Sequence, residues 1–354
     1  MGMPSVSISF AEAAKSIQKR TETGVVGLIL KDDVPAKNPA VCTEESEVPA
    51  TLSDENKLQI KLALKGAERT PQKVIAFVIA KDASSYNDAF DYFSEVSRLD
   101  YIAVPTVVKD NQVDAVAAWI ATERADYKIV KAVLPNKAAD SIGVVNFATA
   151  EVKQGEKKYT AADYCSRIAG ILASTPLTES ATFKALPELT GCTKVKRSEM
   201  NTQIDQGKFL VFWDGEKVKV ASGVNSFQTT STQQGEQFKK IHIVDVMDVM
   251  MYDIRTIAED NYIGRFTNSY ANKCLLLGAI GNYLDELAQK GILKDVSVEI
   301  DVAANKQYLI KKGVDVSTMT DVELKEAATG NKVFLRATMK ILDAIEEIVL
   351  PIVI

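Results

Sequence analysis

Apolar residues fall into two kinds of pattern along this chain. Between residues 57 and 200, short and nearly unbroken apolar runs alternate with stretches of helical spacing. "KVIAFVIA" (73–80), "YIAVPT" (101–106), "KIVKAVLP" (128–135) and "IGVVNFATA" (142–150) read as strands covered on both faces. "SSYNDAFDYFSEVSRL" (84–99), "QVDAVAAWIATER" (112–124) and "TAADYCSRIAGILAST" (160–175) read as the helices between and after them. Asp110 or Asn111 is placed to cap the second of these helices. Strands separated by helices of about 10–15 residues imply a mainly parallel sheet with helices on both sides. "TGVVGLIL", from Thr23, reads as one more buried strand, and residues 34–56 as a Pro-, Glu- and Ser-rich connector.

After residue 200 the pattern changes. "KFLVFWDGEKVKVAS" predicts two strands about a two-residue Asp214–Gly215 turn, whose central positions favour positive φ. A long helix follows, with Val244, Met247, Met251, Ile254 and Ala258 forming an apolar stripe that reads as core. A second helix carries Leu276, Ile280, Tyr283 and Leu287 and stops at Gly291. "VSVEIDV" (296–302) reads as a strand and "AANKQYLIKKG" as a helix. "KVFLRATMKIL" (332–342) reads as a strand with Val333, Leu335, Ala337, Met339 and Ile341 on one side. Asp343 and Glu346 then resemble the start of one short helical turn. The expected fold class is α/β plus α+β. It comprises an α/β middle domain with a mainly parallel sheet, an α+β C-terminal domain, and extended β arms at both ends. The expected divisions are 1–20, 21–200, 201–342 and 343–354.

Both ends are unusual. "SVSISF" sets Val6, Ile8 and Phe10 against serines with a period of two, a strand with one apolar face. The last seven residues, "IVLPIVI", are Ile348, Val349, Leu350, Pro351, Ile352, Val353 and Ile354, without a polar side chain among them. A short, uncharged, β-prone segment left loose is an aggregation hazard. Pro351 lacks an N–H, so the segment belongs at a sheet edge or with that side unpaired. Either both ends pair within their own subunit, or they add strands to another chain's sheet. Periodicity leaves the two open.

Composition narrows the function. The 354 residues are 46% hydrophobic and 25% charged, with a net charge of −5 and no basic block, which argues against nucleic acid as the main partner. No apolar run approaches the roughly 18–20 residues a membrane helix needs, and no secretory leader pattern opens the chain, so synthesis in a cytoplasm is expected. Cys42, Cys165, Cys192 and Cys274 stand too far apart for a CxxC pair and read as reduced thiols. His242 is the only histidine, excluding any two-histidine mechanism and reading as an ordinary structural or surface residue. Phosphate-cradling glycine motifs, a nucleophile elbow and HExxH are all absent from the sequence. The carboxylate pairs Asp32–Asp33, Glu44–Glu45, Glu346–Glu347 and Asp245/Asp248 read as solvated faces. No catalytic, cofactor or metal residue is assigned. An α/β enzyme or binding module with an unrecognised site stands as the alternative to a structural role.

The stretch "MYDIRTIAEDNYIGRFTNSYANKCLLLGAIGNYLDELAQKGIL" with "VSVEIDV", and the ending "FLRATMKILDAIEEIVLPIVI", resemble contractile-tail sheath proteins. The length resembles the short sheaths of Gram-positive prophage tails and R-type bacteriocins, including the diffocin type. The resemblance implies a non-enzymatic subunit of hexameric rings, stacked helically around a tail tube and contracting to drive that tube through an envelope. It implies terminal arms that add strands to neighbouring subunits, with Val6, Ile8 and Phe10 as one arm and Ile348 to Ile354 as the other. Acceptor strands would be 296–302 and the Val333–Ile341 strand, and Lys306, Lys311 and Lys312 would either face the tube or form a solvated helix face. Expected partners are further copies of the chain, the tube, the baseplate and the tail terminator. Nucleic acid and membrane insertion are not implied. The resemblance also implies assembly in a bacterial cytoplasm and release within a phage tail or bacteriocin particle.

Overall fold

The computed structural model describes residues 23–352 and falls into two compact units, one of residues 23–252 with 343–352, the other of residues 253–342.

The first unit opens with β1 (Val25–Asp32), β2 (Ala40–Cys42), α1 (Asp54–Leu64), β3 (Lys73–Ala80), α2 (Asn87–Glu95) and β4 (Tyr101–Ala103). It continues through α3 (Val113–Ala125), β5 (Lys131–Pro135), β6 (Val144–Phe147), the β7 (Glu151–Gln154) and β8 (Lys157–Thr160) hairpin, and α4 (Ala161–Ser174). Short strands β9 (Ala185–Leu186) and β10 (Gly191–Cys192), helix α5 (Arg197–Asp205), and strands β11 (Lys208–Phe209), β12 (Val211–Trp213) and β13 (Val218–Val220) follow. The main sheet has the order β11-β6-β5-β4-β1-β3-β2 and is parallel except for β2.

Alternation along β1 divides the core. Val26, Leu28 and Leu30 join Ile60, Leu64, Ile168 and Leu172 on the α1/α4 side. Val25 and Ile29 join Phe93, Val116 and Ile120 on the α2/α3 side. Both faces are dry, which is why the strands are apolar throughout. Gly170 lets α4 come close to α1, because a Cβ there would lie 2.1 Å from the Ala63 carbonyl oxygen.

Three expectations change in this unit. Helix α1 begins within the last three residues of the expected connector and runs on to Leu64 where no element was expected, its apolar stripe broken by buried Asn56 and Gln59. Asp110 and Asn111 do not cap α3. Its N-cap is Gln112, without a side-chain bond, while the Asp110 carboxylate accepts from Lys31 (2.8 Å) and Thr106 (2.7 Å). The β12–β13 loop spans four residues, since Trp213 pairs with Val218, and only Gly215 has positive φ. Asp214 closes the loop by accepting the Glu216 and Lys217 amides, each at 2.9 Å. The sequence division at 200/201 also differs from the compact units. β11 extends the main sheet, and Phe209, Val211, Val218 and Val220 enter its core.

Helix α6 (Ile241–Asn261) leads into the second unit, which holds α7 (Tyr270–Gln289), β14 (Leu293–Ile300), α8 (Val302–Lys311), α9 (Asp321–Glu326) and β15 (Leu335–Ile341). Ser269 caps α7, and Gly291, with φ of +73°, ends it. β14 and β15 form an antiparallel pair with an irregularity between Lys294 and Ser297, where Asp295 has φ of 55°. Leu309, Val316 and Leu324 close a small core beneath α8 and α9.

Candidate assembly surfaces

The β14–β15 pair is a sheet of only two strands. Such a ribbon is marginal alone, and each outer edge presents a row of backbone N–H and C=O groups. Among the described residues no further strand pairs with either edge. β14 runs from 293 to 300 and so covers 296–300 of the region expected as an acceptor, while residue 302 already begins α8. β15 holds Leu335, Ala337, Met339 and Ile341, while Val333 precedes it. Leu335, Met339 and Ile341 are half-buried and Ala337 is exposed, an apolar side only partly covered.

The polar residues of "YIGRFTNSYANK" hold the loop that leads into β15. The Asn268 side-chain amide donates to the carbonyls of Gly330 (2.8 Å) and Lys332 (3.0 Å). Buried Lys273 donates to the Ala327 carbonyl at 2.9 Å, and burial lowers its pKa. Asn305 from α8 donates to the Leu324 carbonyl at 3.0 Å. Sequence reading marked this stretch without finding its task, since its partners lie about 60 residues on.

The C-terminal segment lies in the other unit. The expected helical turn at Asp343–Glu346 is absent, and no strand or helix forms from residue 342 to 352. The reason is local. Both carboxylates pair with Lys240, and Glu346 also accepts from Thr182. Beyond Glu346, Ile348 is 83% exposed, Val349 90%, Leu350 74% and Ile352 76%. These four large apolar side chains, within five residues, have no covering surface within the described residues. Val353 and Ile354 lie outside the described residues, as do Val6, Ile8 and Phe10 of the other arm.

Lys306, Lys311 and Lys312 are all exposed on and just after α8, with Lys312 Nζ 5.8 Å from the Tyr308 ring centre. The α6 stripe needs correction. Met247, Met251 and Ile254 are only half-buried, and the buried positions include Asp248 and Asp253. Asp245 and Asp248 are not a solvated pair. Asp248 is bidentate to Arg124 (2.8 and 3.0 Å) and bound by buried Lys131 (2.7 Å). Asp245 takes Lys131 at 3.1 Å and the Tyr101 hydroxyl at 2.7 Å. His242 beside them is buried. No cluster suited to a metal ion occurs among the described residues, and none of their helices is long and apolar enough to cross a membrane.

A layered parallel-sheet unit, joined to a helical unit with a two-stranded ribbon, is the architecture of contractile-sheath subunits. Over 100% of this chain and 99% of the other, it superposes on the helical sheath of the anti-feeding prophage in its contracted state, with a TM-score of 0.72 and 13% identity. It also superposes on a sheath tail protein from Desulfitobacterium hafniense, covering 96% of this chain and 100% of that one, with a TM-score of 0.70 and 15% identity. Residues 233–354 match the phage tail sheath C-terminal domain. A tail sheath protein of Clostridium phage phiCD119 is 34% identical over 98% of both chains. The chain belongs to the tail sheath protein family. Its role is that of a structural subunit of a tail sheath, not an enzyme.

Proposed function

We propose that copies of this chain form hexameric rings stacked helically around a tail tube, linked by strands exchanged between neighbours. The observation that carries this reading is the run of exposed apolar residues from Ile348 to Ile352 in a chain that also has an unfilled two-stranded ribbon. Burying each such side chain contributes about 1.5–3 kcal/mol, and edge pairing satisfies backbone groups at the same time. One arm therefore supplies several kcal/mol to each link after the cost of ordering it. β14 and β15 are the acceptors, and the residues around Val6, Ile8 and Phe10 form the second arm.

Links of this kind act as hinges while rings shorten and widen, so that stored lattice energy drives the tube through a target envelope. The partners are the tube, met by Lys306, Lys311 and Lys312, together with baseplate and terminator. Relatives solved as a contracted sheath and within a baseplate support this list. The particle is of the short-sheath kind, either a prophage tail or an R-type, diffocin-like bacteriocin, built in a bacterial cytoplasm and released.

Removing residues 348–354 and imaging the protein by negative-stain electron microscopy tests the reading. Full-length chain is expected to form tubes or stacked rings, and the truncated chain to remain folded and small. Equal assembly by both would show that the segment is not a link.

A further inference from the structure

Glu346 sits in a seat built from three separate parts of its own unit. Its Oε1 accepts the Thr182 hydroxyl at 2.5 Å and lies 3.0 Å from Ser180 Oγ. Its Oε2 lies 3.4 Å from Lys240 Nζ, which also pairs with Asp343. The hydroxyls are themselves fixed. Thr182 Oγ1 accepts the Gly223 amide at 2.9 Å, and Ser180 Oγ accepts the Thr182 amide at 3.1 Å. A Cβ on Gly223 would press on Ser180 Oγ at 3.0 Å, so a side chain there would displace the hydroxyl slightly.

Lys240 is held in place as firmly. The Ile241 amide donates to Gly223 O and the Asn225 amide to Lys239 O, both at 2.9 Å. The buried Asn225 side chain donates to Phe238 O at 2.7 Å. An exposed ion pair alone contributes little. Here the carboxylate meets two hydroxyls already positioned by backbone amides. By contrast, Ile345 between the two acids is 87% exposed.

We infer that Ser180, Thr182 and Lys240 are positioning residues that hold Glu346 and fix where the exchanged arm leaves its own subunit, so that the reach to a neighbour starts at Glu347. This rests on the arm-exchange reading. Asp343 to Glu346 then move with the donor, and the hinge lies in the few residues after the seat. Releasing the seat adds four residues of slack, up to about 13 Å of extended chain, enough to blur the spacing between subunits.

The test uses whole tail particles carrying Glu346→Gln, Thr182→Val or the 348–354 deletion, with the helical order of the extended sheath measured by cryo-electron microscopy. Glu346→Gln is expected at least to double the spread in axial rise, or to prevent ordered sheath, while the free subunit melts as the wild type does. Thr182→Val is expected to fall between the two. If the deletion blocks assembly but both point variants match the wild-type spread, the seat is overturned and the exchange stands. If the deletion assembles normally, both fall.

Discussion

Single residues in this chain matter most where charge is buried. Arg167 and Glu188 are an example, with Arg167 Nε 2.6 Å from Glu188 Oε1 and both side chains almost inaccessible. Burial alone would raise the Glu188 pKa, but the Arg167 charge and hydrogen bond, with the Tyr164 hydroxyl, bring it from 4.5 down to about 2. A folded-state pKa below the unfolded one adds stability above pH 4.5, and that stability is lost as pH falls toward 2. The stability advantage of wild-type subunit over Glu188→Gln, measured by denaturant unfolding, is expected to shrink by about 3 kcal/mol across that window. An advantage independent of pH would contradict the pairing. None of this is visible locally in the sequence. Arg124, Lys131, Asp245 and Asp248 likewise come together from distant positions, which is why two acids on one helix face read as solvated.

Elements were legible where one local rule decided them. The "KVIAFVIA" run is β3, residue for residue, because a strand buried on both faces has no polar position to blur it. Thr160 with Asp163 caps α4 at the start the pattern implies. Helix α1 escaped notice because Asn56 and Gln59 are buried for their hydrogen bonds, which breaks the apolar spacing. The turn expected at Asp343 failed because Lys240, far away in sequence, takes the carboxylates a helix start would use. How closely helices pack is an element property too. Gly170→Ala sets a methyl against the Ala63 carbonyl, a backbone atom that cannot swing aside. Overpacking of this kind is expected to outweigh the gain in helix propensity and to cost about 2 kcal/mol. Gly281→Ala in α7 meets nothing within 4 Å and is expected to gain about 0.5–1 kcal/mol. Thermal melts of the two free subunits check both. Destabilisation by neither or by both would contradict the packing.

At the scale of the whole molecule, the change of periodicity at residue 200 did not mark the boundary between compact units, which falls at 252/253 because β11 and the β12–β13 residues pack into the first unit. The apolar end was readable as an anomaly. What it pairs with was not, because strand pairing depends on which edges stay open, and that is a property of the folded ribbon. The central claim is that this segment binds another subunit. The most direct measurement places a photoreactive benzoyl-phenylalanine at Leu350 in chains of natural isotope content, assembled with an excess of fully nitrogen-15-labelled wild-type chains. After irradiation, mass spectrometry of the cross-linked peptides reads which chain each partner came from. Adducts joining the Leu350 peptide to labelled peptides from β14 or β15 are expected to predominate. Adducts formed only within unlabelled chains would show a segment folded onto its own subunit and would contradict the exchange.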